Sequence, residues 1–269
     1  MMGVSTSGYY AWRDRPLSKR SLDNQKLVKE IRTIHTESRK TYGSPRIHAR
    51  LAAKGFWASR NRVTRLMRAE NIRSKRKRRR IITTDSQHAY PIAPNLLQRD
   101  FQAIEPNQKW LGDITFIPTD EGWLYLAAIL DLFSRKIVGW AMEDTLASCL
   151  VEQAFNMAVH NRKQIEGLLH HTDRGGQYAG GTYRELLTPY HIRVSMSNSG
   201  DCYDNAPMES FFSTLKCEQV HFKDYLTRAE AKTDIFAYIE GFYNRTRLHS
   251  SLGYLSPEEF ERRYHDNLS

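Results

Sequence analysis

The chain of 269 residues carries 40 Lys plus Arg against 30 Asp plus Glu, a formal net charge of +10, with 40% apolar and 11% aromatic residues. That length accommodates one large domain or two small ones with a real core, and the apolar content excludes a disordered or collagen-like chain. The longest apolar run, Trp123 to Leu130, is eight residues, against the roughly 20 of a membrane helix.

The opening segment MMGVSTSGYYAWRDR has no apolar stretch of signal-peptide length. Cys149, Cys202 and Cys217 are too few and too scattered for a disulfide framework or a zinc site. The expectation is a soluble, cytoplasmic protein with no membrane partner. Its charge is segregated: residues 1–100 hold 24 Lys plus Arg and 7 Asp plus Glu, net +17, and residues 101–269 hold 16 and 23, net −7. A basic front half suits a polyanion, nucleic acid first, and an acidic half working on phosphate needs metal ions to approach it.

Residues 1–21 read as an N-terminal tail. Residues 22–72 read as a small all-α domain with helix-turn-helix dimensions. Its first helix runs Leu22 to Thr36, with Leu27, Val28, Ile31 and Ile34 at helical spacing. Ser44-Pro45 reads as an N-cap and first helical residue, Ile47 and Leu51 as a buried stripe, and Gly55 as a stop. Ser59 is the next cap, before Val63, Leu66 and Met67. The pair is a helix-turn-helix or a plain helical hairpin, and its second helix offers Arg60, Arg62, Arg65 and Arg68 as cations.

Residues 73–106 form a basic block and linker. From Arg73 to Arg80, seven of eight residues are cationic, Arg76, Lys77, Arg78, Arg79 and Arg80 among them. Such a block repels itself until it meets an anion; it reads as a phosphate contact, with a solvated linker as the alternative. Residues 107–263 read as an α/β domain with C-terminal helices, and 264–269 as a tail.

Strands are expected at Leu111–Thr119, Trp123–Leu130 and Lys136–Met142, a three-stranded meander. A helix at Leu146–Asn161, a strand at Gly167–Thr172, a helix at Thr182–Leu187 and a strand at Ile192–Met196 follow, then helices at Ala206–Val220 and Ala229–Tyr243. This order fits a ribonuclease-H-type α/β fold, though order alone leaves other mixed sheets open. Trp123, Tyr125 and Trp140 are expected in the core.

Three carboxylates resist a structural reading. Asp113 lies inside an apolar strand, where Asp is depleted and, if buried, must be paired or metal-bound. Asp173 ends the fourth strand before Gly175 and Gly176, which leave room for a close backbone approach. Glu209 opens a helix 35 residues beyond Asp173. Each has an ordinary alternative: a paired strand acid, a turn Asp, a first-turn Glu favoured by the helix dipole. Together they repel unless a cation neutralises them, and hard oxygen donors at an open site suit Mg²⁺ or Mn²⁺. Two such ions activate a nucleophile and stabilise the leaving oxygen of an in-line phosphoryl displacement.

The runs LGDITFIPT and HTDRGGQY, the 35-residue spacing to the Glu of GDCYDNAPMESFFSTLK, and the tail YNRTRLHSSLGYLSPEEFE together resemble the transposases of the IS-three group of bacterial insertion sequences. More narrowly, they are similar to the second-frame product, OrfB, with its integrase-like core. YGSPRIHARLAAKG through RVTRLMRAENI resembles the helix-turn-helix that precedes this core.

The resemblance implies an α/β, ribonuclease-H-like integrase core with a mixed five-stranded sheet, over residues 107–263. It also implies an enzyme that cleaves element ends and transfers strands into DNA. Asp113, Asp173 and Glu209 would be its catalytic and metal-binding triad, acting on phosphodiesters through two Mg²⁺ ions, with Mn²⁺ as substitute. Lys216, seven residues after Glu209, would touch element-end DNA or be an ordinary surface lysine.

Asp204 and Asn205 are read as caps of the Glu209 helix, and His170 and His171 as packing residues outside the chemistry. The tail either binds phosphate or docks the last helix; the reading is structural, with some DNA contact from Arg245 and Arg247. The resemblance further implies double-stranded DNA as partner, a homo-oligomer on it, nucleoid association, and cooperation or fusion with the upstream OrfA product. No leucine heptads of that upstream frame are present. A stand-alone nuclease on the same fold and a DNA-binding regulator with an inactive core are the rival functions.

Overall fold

The computed structural model describes residues 5–75, 91–198 and 202–268, and the chain divides into two compact units, Met1–Lys75 and Arg76–Ser269.

The first unit is all-α. Helix α1 (Thr6–Arg13), where the sequence reads as tail, buries no residue. Helix α2 (Lys19–Glu37) starts three residues before the expected Leu22, because the Ser18 side chain accepts the Ser21 amide at 3.2 Å and caps it there. It packs Leu27, Ile31 and Ile34 against Ile47 and Leu51 of α3 (Ser44–Ala53) and Val63, Leu66 and Met67 of α4 (Arg60–Ala69).

The N-cap of α3 is Gly43 rather than Ser44, which falls inside the helix ahead of Pro45. The α3–α4 turn depends on Gly55, whose φ of +80° lies in the left-handed region. Ser59 then accepts the Arg62 amide at 3.2 Å, as a cap should. Lys54 pairs with Glu30 at 2.5 Å and Arg32 with Glu70 at 2.6 Å, tying both later helices to α2.

The second unit is built on a five-stranded sheet in the order β3-β2-β1-β4-β5. Strands β1 (Lys109–Thr119), β2 (Gly122–Asp131) and β3 (Ile137–Glu143) form the antiparallel meander expected from sequence. Strands β4 (Leu169–Thr172) and β5 (Arg193–Met196) add in parallel on the other side of β1. The crossovers are α5 (Ser148–Arg162), then the short helices α6 (Gly176–Ala179) and α7 (Gly181–Leu187). Strand β4 begins at Leu169 and not at Gly167, whose φ of +75° breaks the extended backbone.

Leu150, Val151, Ala154, Phe155 and Ala158 of α5 bury against Trp110, Ala127, Ile129, Val138 and Ala141 of the sheet. Gly139 makes that contact possible: a Cβ there would lie 2.2 Å from the Ala154 carbonyl oxygen and 2.7 Å from the Ala158 Cβ. Trp123 departs from the expected core: it is 43% exposed at the hairpin end of β2, edge-on to Phe116, while Tyr125 and Trp140 are half-buried.

Helix α8 (Ala206–Glu218) packs on β1, and α9 (Arg228–Phe236) on β1 and β2. The expected helix to Tyr243 changes at Ala237 into a π-helical turn, Ala237–Tyr243. Helix α10 (Pro257–Asp266), absent from the elements expected from sequence, is capped by Ser256. Its buried Glu261 accepts Ser134 Oγ at 2.5 Å and pairs with Arg162 and Lys136, locking α10 onto the β2–β3 turn. Among the described residues no helix is long and apolar enough to cross a membrane.

Candidate active site

Side-chain alternation along β1 puts Asp113 on the face of Leu111, Thr115 and Ile117, opposite Trp110 and Ile114 of the α5 core. Its Oδ1 accepts the Ile114 amide at 2.7 Å. Burial pushes the Asp113 carboxyl well above the ordinary Asp range; the Asp173 charge adds to this and Glu209 more weakly, while the Ile114 amide and Lys216 oppose it. The fold therefore brings the three carboxylates and Lys216 into one electrostatic neighbourhood, from residues 113 to 216.

Asp173 follows the last residue of β4, half-buried, with Oδ1 accepting the Gly175 amide at 2.9 Å. A Cβ on Gly175 would sit 3.0 Å from that oxygen, so one role of this glycine is to make room for the carboxylate. Glu209, in the first turn of α8, is exposed, and partial burial alone raises its carboxyl. Lys216 is half-buried; desolvation lowers its ammonium and Asp113 counteracts this.

Among the described residues no three His, Cys, Asp or Glu side chains lie close enough together to form a ready metal cage. Of the two carboxylates that act on Asp113, Asp173 has the larger effect and Glu209 the smaller. The donor set fits a hard divalent cation nonetheless: three carboxylates, two of which, Asp173 and Glu209, raise the Asp113 carboxyl, with Lys216 as its compensating cation.

Two readings of the surrounding residues are corrected. Neither Asp204 nor Asn205 caps α8 with its side chain. Asp204 instead accepts Asn95 Nδ2 at 2.8 Å, the Asn198 amide at 2.9 Å and Arg99 Nε at 3.0 Å, tying the segment before β1 and the loop after β5 to the start of α8. Asn205 holds the N-cap position, but its Nδ2 reaches the Gly112 carbonyl at 3.3 Å, joining the start of α8 to β1 one residue before Asp113. Tyr178, not singled out from sequence, is buried in the α5 core, and the charges of Asp113 and Asp173 both raise its hydroxyl's pKa. An aromatic following HTDRGGQ carries no sequence signal that separates it from core.

His170 and His171 are packing residues. His170 bonds the Tyr183 hydroxyl at 2.8 Å, and His171 lies between Ser195 at 2.8 Å and Ser197 at 3.1 Å. Burial lowers their pKa values to about 3 and about 4, so both are neutral.

The tail arginines separate. Arg245 is exposed, 3.8 Å from Glu258. Arg247 is 4% exposed and forks onto Glu218 through Nε at 2.9 Å and Nη2 at 2.8 Å, which removes it from any DNA-contacting surface. In the first unit Arg60, Arg65 and Arg68 are exposed on α4, whereas Arg62 is held by Asn24 Oδ1 at 2.9 and 2.7 Å. Arg76, Lys77, Arg78, Arg79 and Arg80 lie outside the described residues.

Family models match in three segments: an HTH-like domain over residues 22–80 and an integrase core domain over 103–202 and again over 209–264. The 31 kDa protein of insertion element IS600 from Shigella sonnei is 43% identical, covering 98% of this chain and 97% of its own. The transposase InsF of insertion sequence IS3A from Escherichia coli K12 is 41% identical, covering 98% and 92%. The solved HTLV-2 integrase catalytic core in complex with magnesium is 19% identical, covering 60% of this chain and 99% of its own, at a TM-score of 0.42. With relatives of that identity along nearly its whole length, the chain belongs to the family of IS3-type insertion-sequence transposases with an integrase core.

Proposed function

We propose that this DNA transposase cleaves the ends of its element and joins them to target DNA at a site made by Asp113, Asp173 and Glu209. The observation that carries the reading is the Asp113 carboxyl, raised by burial and by both partner carboxylates and relieved by Lys216. When bound there, two Mg²⁺ ions, or Mn²⁺ in their place, would activate the attacking oxygen and stabilise the leaving one. Asp113 and Asp173 hold the cations, Asp113 with Oδ1 fixed by the Ile114 amide and Asp173 with Oδ1 fixed by the Gly175 amide.

Glu209, one helical turn into α8, completes the donor set, and Asn205 sets where that turn starts relative to β1. Lys216 neutralises phosphate beside Asp113. Water serves as nucleophile for end cleavage and frees a 3′-hydroxyl, which then attacks the target phosphodiester in the same pocket. Arg60, Arg65, Arg68 and the block Arg76–Arg80 supply double-stranded DNA affinity that falls steeply with salt. Assembly is as a homo-oligomer on DNA, in the cytoplasm at the nucleoid, with the OrfA product or as a fusion with it.

The test is nicking and strand transfer with Mg²⁺ or Mn²⁺ on DNA bearing the element's own ends, for wild type and Glu209→Gln. Metal-dependent joined products lost in Glu209→Gln, with DNA binding retained, are expected. Cleavage without joining would make the chain a nuclease, and binding without turnover, also when fused to the upstream frame, a regulator.

A further inference from the structure

The conspicuous tail segment Asn244–Leu252 has no part in the acidic site described so far. Its Arg247 is buried against Glu218, whereas His249 is half-buried and Ser251 exposed. His249 and Ser251 line a cavity of about 130 Å³ together with Arg135, Ser210 and Thr214. Arg135 belongs to the β2–β3 turn, with φ of +60° and its amide donating to the Asp131 carbonyl at 2.8 Å, so the turn aims its side chain at this cleft.

No carboxylate lies within salt-bridge distance of the Arg135 guanidinium among the described residues, and its one hydrogen bond, to the Phe101 carbonyl, is a long 3.5 Å. The nearby Asp131 carboxylate is buried, accepts the Asn107 and Phe133 amides and pairs with Arg162 at 3.5 Å. A half-desolvated guanidinium in a cleft lined also by Ser210, Thr214, Tyr243, Ser251 and His249, with the nearest carboxylate, Asp131, beyond salt-bridge distance and engaged by Arg162, is a donor set for a phosphate oxygen. Ser210 directly follows Glu209, and Thr214 lies about 6 Å beyond Ser210 along the helix axis. The cleft therefore adjoins the first turns of the helix that carries the proposed catalytic carboxylate.

We propose that this cleft binds a backbone phosphate of the DNA strand entering the acidic site, with Arg135 as the cation and Ser210, Thr214 and Ser251 as hydroxyl donors. The assignment rests on the DNA-transposase reading. It also explains the position of the tail, since Arg247–Glu218 fixes the segment while Ser251 and His249 close one wall of the subsite.

The experiment is binding of the full chain to element-end duplex and to an unrelated duplex by fluorescence anisotropy over a range of NaCl. Arg135→Gln and Ser251→Glu, the second placing a carboxylate in an exposed wall, are compared with wild type. Each is expected to weaken both duplexes roughly tenfold, with Arg135→Gln flattening the salt slope by about 0.9, at an unchanged guanidinium midpoint. Inorganic phosphate at constant ionic strength should leave wild-type DNA binding within about twofold; selective inhibition of wild type over Arg135→Gln would assign the cleft to free phosphate instead. Unaltered affinity and slope in both variants, or losses that follow a lowered midpoint, would overturn the subsite while the wild-type binding stands. Failure of wild type to bind DNA at all would remove the functional reading beneath it.

Discussion

Replacing Arg247 with Met should unfold the protein more easily and leave DNA binding alone. The guanidinium is fully enclosed, and both oxygens of Glu218 receive it, with the Tyr238 hydroxyl donating to Oε2 at 2.9 Å. Burial alone would lower the arginine's pKa, and the Glu218 carboxylate more than reverses this. Removing the cation leaves a buried carboxylate without its counter-charge, a situation that costs about 3–5 kcal/mol.

Against a guanidinium m-value of about 4 kcal/mol per molar, the unfolding midpoint falls by roughly 1 M. The double variant Glu218→Gln with Arg247→Met removes the stranded charge and should regain most of that loss. Equilibrium unfolding followed by tryptophan fluorescence measures the midpoint, and anisotropy with duplex DNA, below the midpoint of every variant, measures the salt slope. A phosphate-contacting arginine would flatten that slope by about 0.9. A wild-type midpoint in Arg247→Met accompanied by a flattened slope would refute the structural role.

Gly139→Ala should cost at least 1–3 kcal/mol, because the new methyl has backbone of α5, 2.2 Å away, in its path; an unchanged midpoint would mean α5 can lift from β3 freely. Buried neutral His170, with a pKa of about 3 when folded against 6.5 when unfolded, contributes stability that is complete above pH 6.5 and lost as pH falls toward 3. Between pH 8 and pH 5 its share of the loss is about 2 kcal/mol, so His170→Gln should show a correspondingly shallower decline in unfolding free energy over that interval. An equally steep decline would show that His170 protonates without unfolding. On α4, Arg65→Ala should weaken DNA binding at constant stability, whereas Arg62→Ala should lower stability through loss of the Asn24 contact; the opposite pattern would exchange their roles.

Local chemistry made much of the molecule legible from sequence. Ser59 caps α4 because its hydroxyl needs only the amide of Arg62 three residues on, and Gly55 turns the chain because a Cβ-free residue adopts a left-handed φ. The runs that became β1, β2 and β3 alternate between two faces, and an Asp inside the first of them stood out as costly to bury. The Ser256-Pro257 start of α10 has the same local signature, a capping hydroxyl followed by Pro at the first helical position.

Tertiary structure decided which polar side chains remain available, since a partner 20 or more residues away leaves no local trace. Arg62 and Arg65 are alike in the sequence, and Asn24 of α2 occupies only the first. Arg247 and Arg245 are likewise two residues apart, and Glu218 removes one of them from the surface. Asn205 abandons its helix for the Gly112 carbonyl because the sheet order places β1 beneath the start of α8. Hydrophobic period and turn chemistry are properties of neighbours along the chain, so the sequence determined the elements. Pairing of buried charge and amide is a property of neighbours in space, so only the packed fold decided which of the described cations and carboxylates are taken up by partners inside the protein.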